Sequence, residues 1–135
     1  MQNGGTDMNR DKIYNEIKET LGIVPTFLKS VSDTRLAQEW ELFKHVQLEE
    51  GVIPGKYKEL IGLGIAAATK CHYCTLFHTE KAKLQGATAA EVEEAVSYAK
   101  ETSGWSTYIN GMRVDYEQFK REVGQIVEHM NRTMR

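Results

Sequence analysis

Apolar residues recur at intervals of three and four along most of the chain, and no run alternates as a half-buried strand would; the pattern predicts helices joined by short breaks. The first helix is predicted from about Asn9 to Leu21, with Ile13, Ile17 and Leu21 on one face and Gly22 as its stop. A short second helix follows Pro25 and carries Phe27, Leu28 and Val31. Asp33 or Thr34 announces a third, with Leu36, Trp40, Phe43 and Val46 at helical spacing and Gly51 as its close. The fourth starts at Pro54 and reads PGKYKELIGLGIAAATK, apolar on nearly every side after Glu59, as a central and buried helix does. A fifth holds the cysteines and ends at Gly86. The sixth opens with Thr88 and Glu91, spaced as a capping box. A long last helix is predicted from about Trp105 to Met130, with a strict 4-3-4-3 seam through Ile109, Met112, Tyr116, Phe119, Val123 and Ile126. Such a seam suits packing on another helix, and its length points to a second subunit.

The periodicity makes this an all-α protein of about six to seven helices, and its length that of one domain, 1–135, with a core of its own. Met1 to Asp11 is polar and has no apolar leader segment; residues 1–8 read as a disordered lead-in. Charged residues make up 27% of the chain with both signs interleaved, so no basic stripe tracks a phosphate backbone, and nucleic acid is not an expected partner. No stretch approaches the roughly 20 apolar residues of a membrane span. Two cysteines only three positions apart cannot staple a secreted fold, and the expected setting is the reducing cytoplasm.

In that setting a cysteine pair points to redox chemistry or metal binding. On a helix begun near Cys71, Cys71, Cys74 and His78 fall within an arc of about 60°. Ala82 and Gln85 extend the stripe, and Phe77 and Leu84 flank it, so it is expected to face protein rather than open water. Thiols at Cys-x-x-Cys spacing can close a disulfide with little strain, and a helix N-terminus favours a thiolate. His78, four residues after Cys74, can take or relay a thiol proton. If the fourth and fifth helices form an antiparallel hairpin turning near Lys70, Glu59 comes within about a turn of His78. Three alternatives stay open at this point. Cys71, Cys74 and His78 could be three ligands of a zinc site that needs a fourth, for which His45, His72 and His129 are isolated candidates. The cysteines could be small buried hydrophobes. Glu59 could pair with Lys56 on the surface.

The stretch from Lys56 to Val96, with the signature Glu, eleven residues, Cys-x-x-Cys, three residues, His matched at Glu59, Cys71, Cys74 and His78, resembles the carboxymuconolactone decarboxylase family in its alkylhydroperoxidase-like (AhpD-like) branch. Gly22 to Asp33 resembles the family's lead into this core. The resemblance implies an all-α fold assembled as trimers or hexamers. It implies Cys74 as the attacking thiol, Cys71 as its disulfide partner, and Glu59 with His78 as a proton relay. Decarboxylating members lack the cysteine pair, and the dedicated alkylhydroperoxidase partner proteins commonly carry a His where this chain has Tyr73. The expected activity is therefore thiol-dependent reduction of disulfides or peroxides, with a decarboxylase-type reaction as the alternative. No Gly-rich dinucleotide fingerprint is present, so no bound cofactor is expected and an external dithiol, a thioredoxin-like protein or a lipoyl group, is the implied reductant.

Overall fold

A computed structural model describes residues 4–134, with side chains from Asn9 onward. The described residues form seven α-helices and one π-helical turn: α1 (Gly4–Leu21), α2 (Thr26–Lys29), α3 (Asp33–Phe43), the π turn (Lys44–Leu48), α4 (Gly55–Ala68), α5 (His72–Leu84), α6 (Ala89–Gly111) and α7 (Tyr116–Thr133). They belong to two compact units, 1–52 and 53–135. None of these helices is long and apolar enough to cross a membrane.

The first unit is organised by α1 and α3. Ile13 and Ile17 of α1 meet Leu36 and Trp40 of α3 in a core that also takes in Val24 and Leu28. α1 begins at Gly4, ahead of the expected start near Asn9. Extending a helix already anchored at Ile13 and Ile17 costs little compared with nucleating one. Part of the expected lead-in, residues 1–3, lies outside the described residues.

Val46 was expected on the buried face of the third helix and is instead exposed. The cause is the π turn, whose wider winding delays the return of the core-facing stripe. Counting from Phe43, it is Leu48 rather than Val46 that comes back to the core.

In the second unit α4 is flanked by two helices. α5 runs antiparallel to it, since Gly55 lies against Gln85 and Gly62 against His78. The hairpin turns at Lys70, as the sequence predicts. Lys70 takes the left-handed conformation (φ 60°), with its N–H on the Ala67 carbonyl and the Cys71 N–H on the Ala66 carbonyl, a Schellman closure. α6 runs parallel to α4, fastened at its start by the Lys56–Glu91 ion pair (2.9 Å) and brought close further on, where Gly64 faces Ala99. The predicted capping box is present, with Thr88 Oγ1 accepting from Glu91 N–H and the Glu91 carboxylate accepting from Thr88 N–H.

Two expectations fail in this unit. α4 is not buried on every side: Glu59, Leu63 and Ala66 are covered, whereas Tyr57, Ile61 and Ile65 line an open apolar groove of about 470 Å³ with α6. The predicted last helix is two helices. α6 continues through Gly104 and Trp105 to Gly111, the chain turns at Arg113 (φ 52°), and Asp115 caps α7 by accepting from Gln118 N–H. The 4-3-4-3 apolar spacing runs across this turn because periodicity reports no backbone break when the break adds about a whole turn of residues.

Candidate functional site

Cys71 stands at the joint of the α4–α5 hairpin. Its N–H completes the closure of α4, while its Sγ accepts from the Cys74 N–H at 3.2 Å, so the thiol itself caps α5. Free backbone donors at a helix start favour negative charge on such an atom. A hydrogen bond from the Cys74 thiol, then the Cys74 and Tyr73 backbone N–H groups, hold the Cys71 thiol below its ordinary range. Cys74 is displaced the opposite way, chiefly because it donates to Cys71, then through partial loss of water around its sulfur, and last because a charge on it would be repelled by one on Cys71. Of the two, Cys71 is the thiol that ionises more readily and the exposed Cys74 the one that holds its proton more firmly.

One turn along α5 from Cys74, the His78 imidazole reaches across the hairpin. Its Nδ1 lies 2.8 Å from Glu59 Oε2. Glu59 is a carboxylate only 4% exposed, placed on the inner side of α4 beside Leu63 and Ala66. The approach depends on Gly62: a Cβ at that position would stand 2.6 Å from the His78 ring, well inside contact distance. Gly62 therefore makes room for this ring, and the juxtaposition of Glu59 with His78 expected from the hairpin is present. The Lys56 pairing considered for Glu59 is not, because Lys56 bonds Glu91.

Lys81 was not among the sequence candidates. Its Nζ lies 2.7 Å from Glu59 Oε1, so the two oxygens of one buried carboxylate are divided between His78 and Lys81. The signal was available, since Lys81 follows His78 by three residues and shares its face of the helix. Phe77 lies against both, its ring 5.4 Å from the imidazole and 5.1 Å from the ammonium.

The expectation that the whole cysteine stripe faces protein holds only in its middle. His78 is half-buried and Ala82 fully buried, but Cys74, Leu84 and Gln85 are exposed. Tyr73 is exposed, with its ring 4.2 Å from that of His72. Among the described residues no three His, Cys, Asp or Glu side chains converge as metal ligands, and the Nδ1 of His78 is engaged by Glu59.

Comparison with known proteins agrees with this architecture. Residues 34–116 match the family described as "Carboxymuconolactone decarboxylase family". The chain is 29% identical over 79 residues to "Uncharacterized protein 4 in cox locus" of Paracoccus denitrificans, a stretch that covers 58% of this chain and 67% of that protein. Its fold is similar to the crystal structure of the alkylhydroperoxidase AhpD core from Rhodospirillum rubrum, with a TM-score of 0.70 and 24% identity over 81% of this chain and 84% of that one. The family match spans more than half of the chain and takes in Glu59, both cysteines and His78, so the protein belongs to the carboxymuconolactone decarboxylase family and has an AhpD-like all-α fold.

Proposed function

We propose that the protein is a thiol-dependent oxidoreductase that reduces peroxides or disulfides through a Cys71–Cys74 dithiol/disulfide cycle. The observation that carries this reading is the dithiol at the start of α5 with a Glu59-bonded imidazole one turn beyond it. Cys74 is the exposed thiol and the one that keeps its proton, so its use as a nucleophile calls for a base, and His78 is the base on its face of the helix. With a hydroperoxide, the Cys74 thiolate attacks the distal oxygen. The O–O bond breaks, the alkoxide leaves as alcohol with the proton held by His78, and Cys74 becomes a sulfenic acid. The Cys71 thiolate then attacks that sulfur and expels hydroxide, which leaves as water and closes the Cys71–Cys74 disulfide. With a disulfide substrate, the same two attacks release two thiols in succession. Two electrons from an external dithiol, a thioredoxin-like protein or a lipoyl group, restore the reduced pair.

The test combines turnover with covalent trapping. Reduced protein treated with one equivalent of an organic hydroperoxide or a small disulfide should lose 2 Da in intact mass and show a Cys71–Cys74 cross-link on peptide mapping. Cys74→Ser should abolish steady-state turnover. Activity that survives Cys74→Ser, or one metal ion per purified chain held through both thiols, rejects the reading.

A second assignment within the same cycle is favoured by the low-lying Cys71 thiol, which would make Cys71 the attacking sulfur and Cys74 the resolving one. Trapping separates the two: the sulfur recovered as sulfenic acid when the other cysteine is replaced by serine is the attacking one.

A further inference from the structure

Each oxygen of the Glu59 carboxylate has its own nitrogen partner, His78 Nδ1 at 2.8 Å and Lys81 Nζ at 2.7 Å, and all three side chains are largely withdrawn from water. A carboxylate buried to this degree requires a positive counter-charge. Either neighbour could provide it. The choice decides whether His78 is useful, because an imidazolium cannot accept a proton whereas a neutral imidazole can. An ammonium ordinarily keeps its proton to about pH 10, some four units above an imidazole, so Lys81 is the partner suited to carry the charge. With Oε1 taken by the ammonium, Oε2 is acceptor only, and the His78 nitrogen facing it must bear hydrogen.

We infer that Lys81 is a positioning residue: by neutralising Glu59 it keeps His78 uncharged, with the proton on Nδ1 and the lone pair on Nε2. The function of that lone pair as a base rests on the dithiol reading; the charge arrangement does not. Among the described residues, charged and titratable groups face His78 from both helices of the hairpin. From α4 there is Glu59, while Lys56 on the same helix is paired with Glu91 of α6. From α5 itself there are Lys81, one turn after, and Cys74, one turn before, with the Cys71 thiol beyond it. Without Lys81, Glu59 would draw its counter-charge from the imidazole, and His78 would hold a second proton where the parent holds one.

The experiment is ¹⁵N NMR of the reduced, histidine-labelled protein, with His78 assigned from the resonances lost in His78→Gln. The parent at pH 7.5 should show a neutral imidazole protonated on Nδ1. In Lys81→Met the pH of half-protonation should rise by about one unit, a tenfold tighter hold on the proton. Lys81→Gln keeps a hydrogen-bond donor toward Oε1 but no charge, so it tests the same point in a gentler background and should shift in the same direction. Lys81→Arg should restore the parent titration. In a Glu59→Gln background, Lys81→Met should produce a much smaller shift, because the carboxylate that transmits the effect is gone. Where turnover is measurable, the acid limb of its pH profile should move with the NMR titration. A His78 titration that is the same in the parent, Lys81→Gln and Lys81→Met overturns the inference. Absence of dithiol turnover in the parent would reject the proposed function and leave the NMR titrations to decide this one.

Discussion

The residue on which the site geometry turns most sharply is one with no side chain. Gly62 gives the His78 ring its place on α4, and a methyl group there would collide with the ring at 2.6 Å. Because Gly62 is in a helix interior, alanine improves helix propensity by about 1 kcal/mol. Displacing the imidazole forfeits a hydrogen bond of comparable net value. Gly62→Ala should therefore leave thermal stability within about 1 kcal/mol of the parent while lowering thiol-dependent turnover at least tenfold, since proton transfer depends on placement. Urea melts and steady-state assays on the same preparation check both halves. A proportionate loss of stability and activity would show that the glycine serves packing alone. The sequence shows a glycine inside the fourth helix but not which partner needs the space; that partner sits sixteen residues away and arrives only when the hairpin closes.

Helix ends show what is legible at the scale of the element. The stops at Gly22 and Gly86 were readable because both adopt positive φ, at 82° and 85°, and glycine advertises that conformation. The end of α6 uses the same closure at Arg113, a residue that gives no such signal, and so two helices read as one. Asp115 with Gln118 was the remaining clue. At the other end of α6, the capping box ties pH to stability. Glu91 lies below the ordinary carboxylate range, first through Lys56 and then through the Thr88 N–H. A carboxyl group whose folded value is depressed stabilises fully above its unfolded value, about 4.3, and its contribution is lost as pH falls through the lower folded value. Glu91→Gln should thus be less stable than the parent at pH 7, and the gap should narrow steadily below about pH 4. Urea midpoints of the two proteins from pH 7 to pH 3 measure it; a gap independent of pH would mean that the ion pair and cap contribute nothing through charge.

At the scale of the whole molecule, α7 is the element that one chain leaves unexplained. Phe119, Val123, Ile126 and Met130 form one apolar line along it, with Tyr116 at its start, and none of its residues is buried among the described ones. An amphipathic helix of this kind gains most of its stability from burying that line. We propose that a second copy of the chain does so, in the trimer or hexamer that the family resemblance implies. Sedimentation velocity should find the parent as an oligomer and Val123→Asp/Ile126→Asp at least partly dissociated, with helical content reduced mainly by loss of α7. A monomeric parent at micromolar concentration would remove the proposal.

Sequence alone determined the helical class, the capped start of α6, the hairpin at Lys70 and the common face of Cys71, Cys74 and His78, because each depends on residues within a few turns of one another. It also carried the family signature, which raised Glu59 from an ordinary surface charge to a site candidate. Tertiary structure decided what the carboxylate is bonded to. Burial of Glu59 between α4 and α5 brings His78 and Lys81 to its two oxygens and sends Lys56 to Glu91. Winding decided the rest: a π turn exchanged Val46 for Leu48, and a left-handed arginine divided the last helix. Local patterns fix which residues share a face; which faces meet, and which charges then lose their water, follows only once the helices have packed.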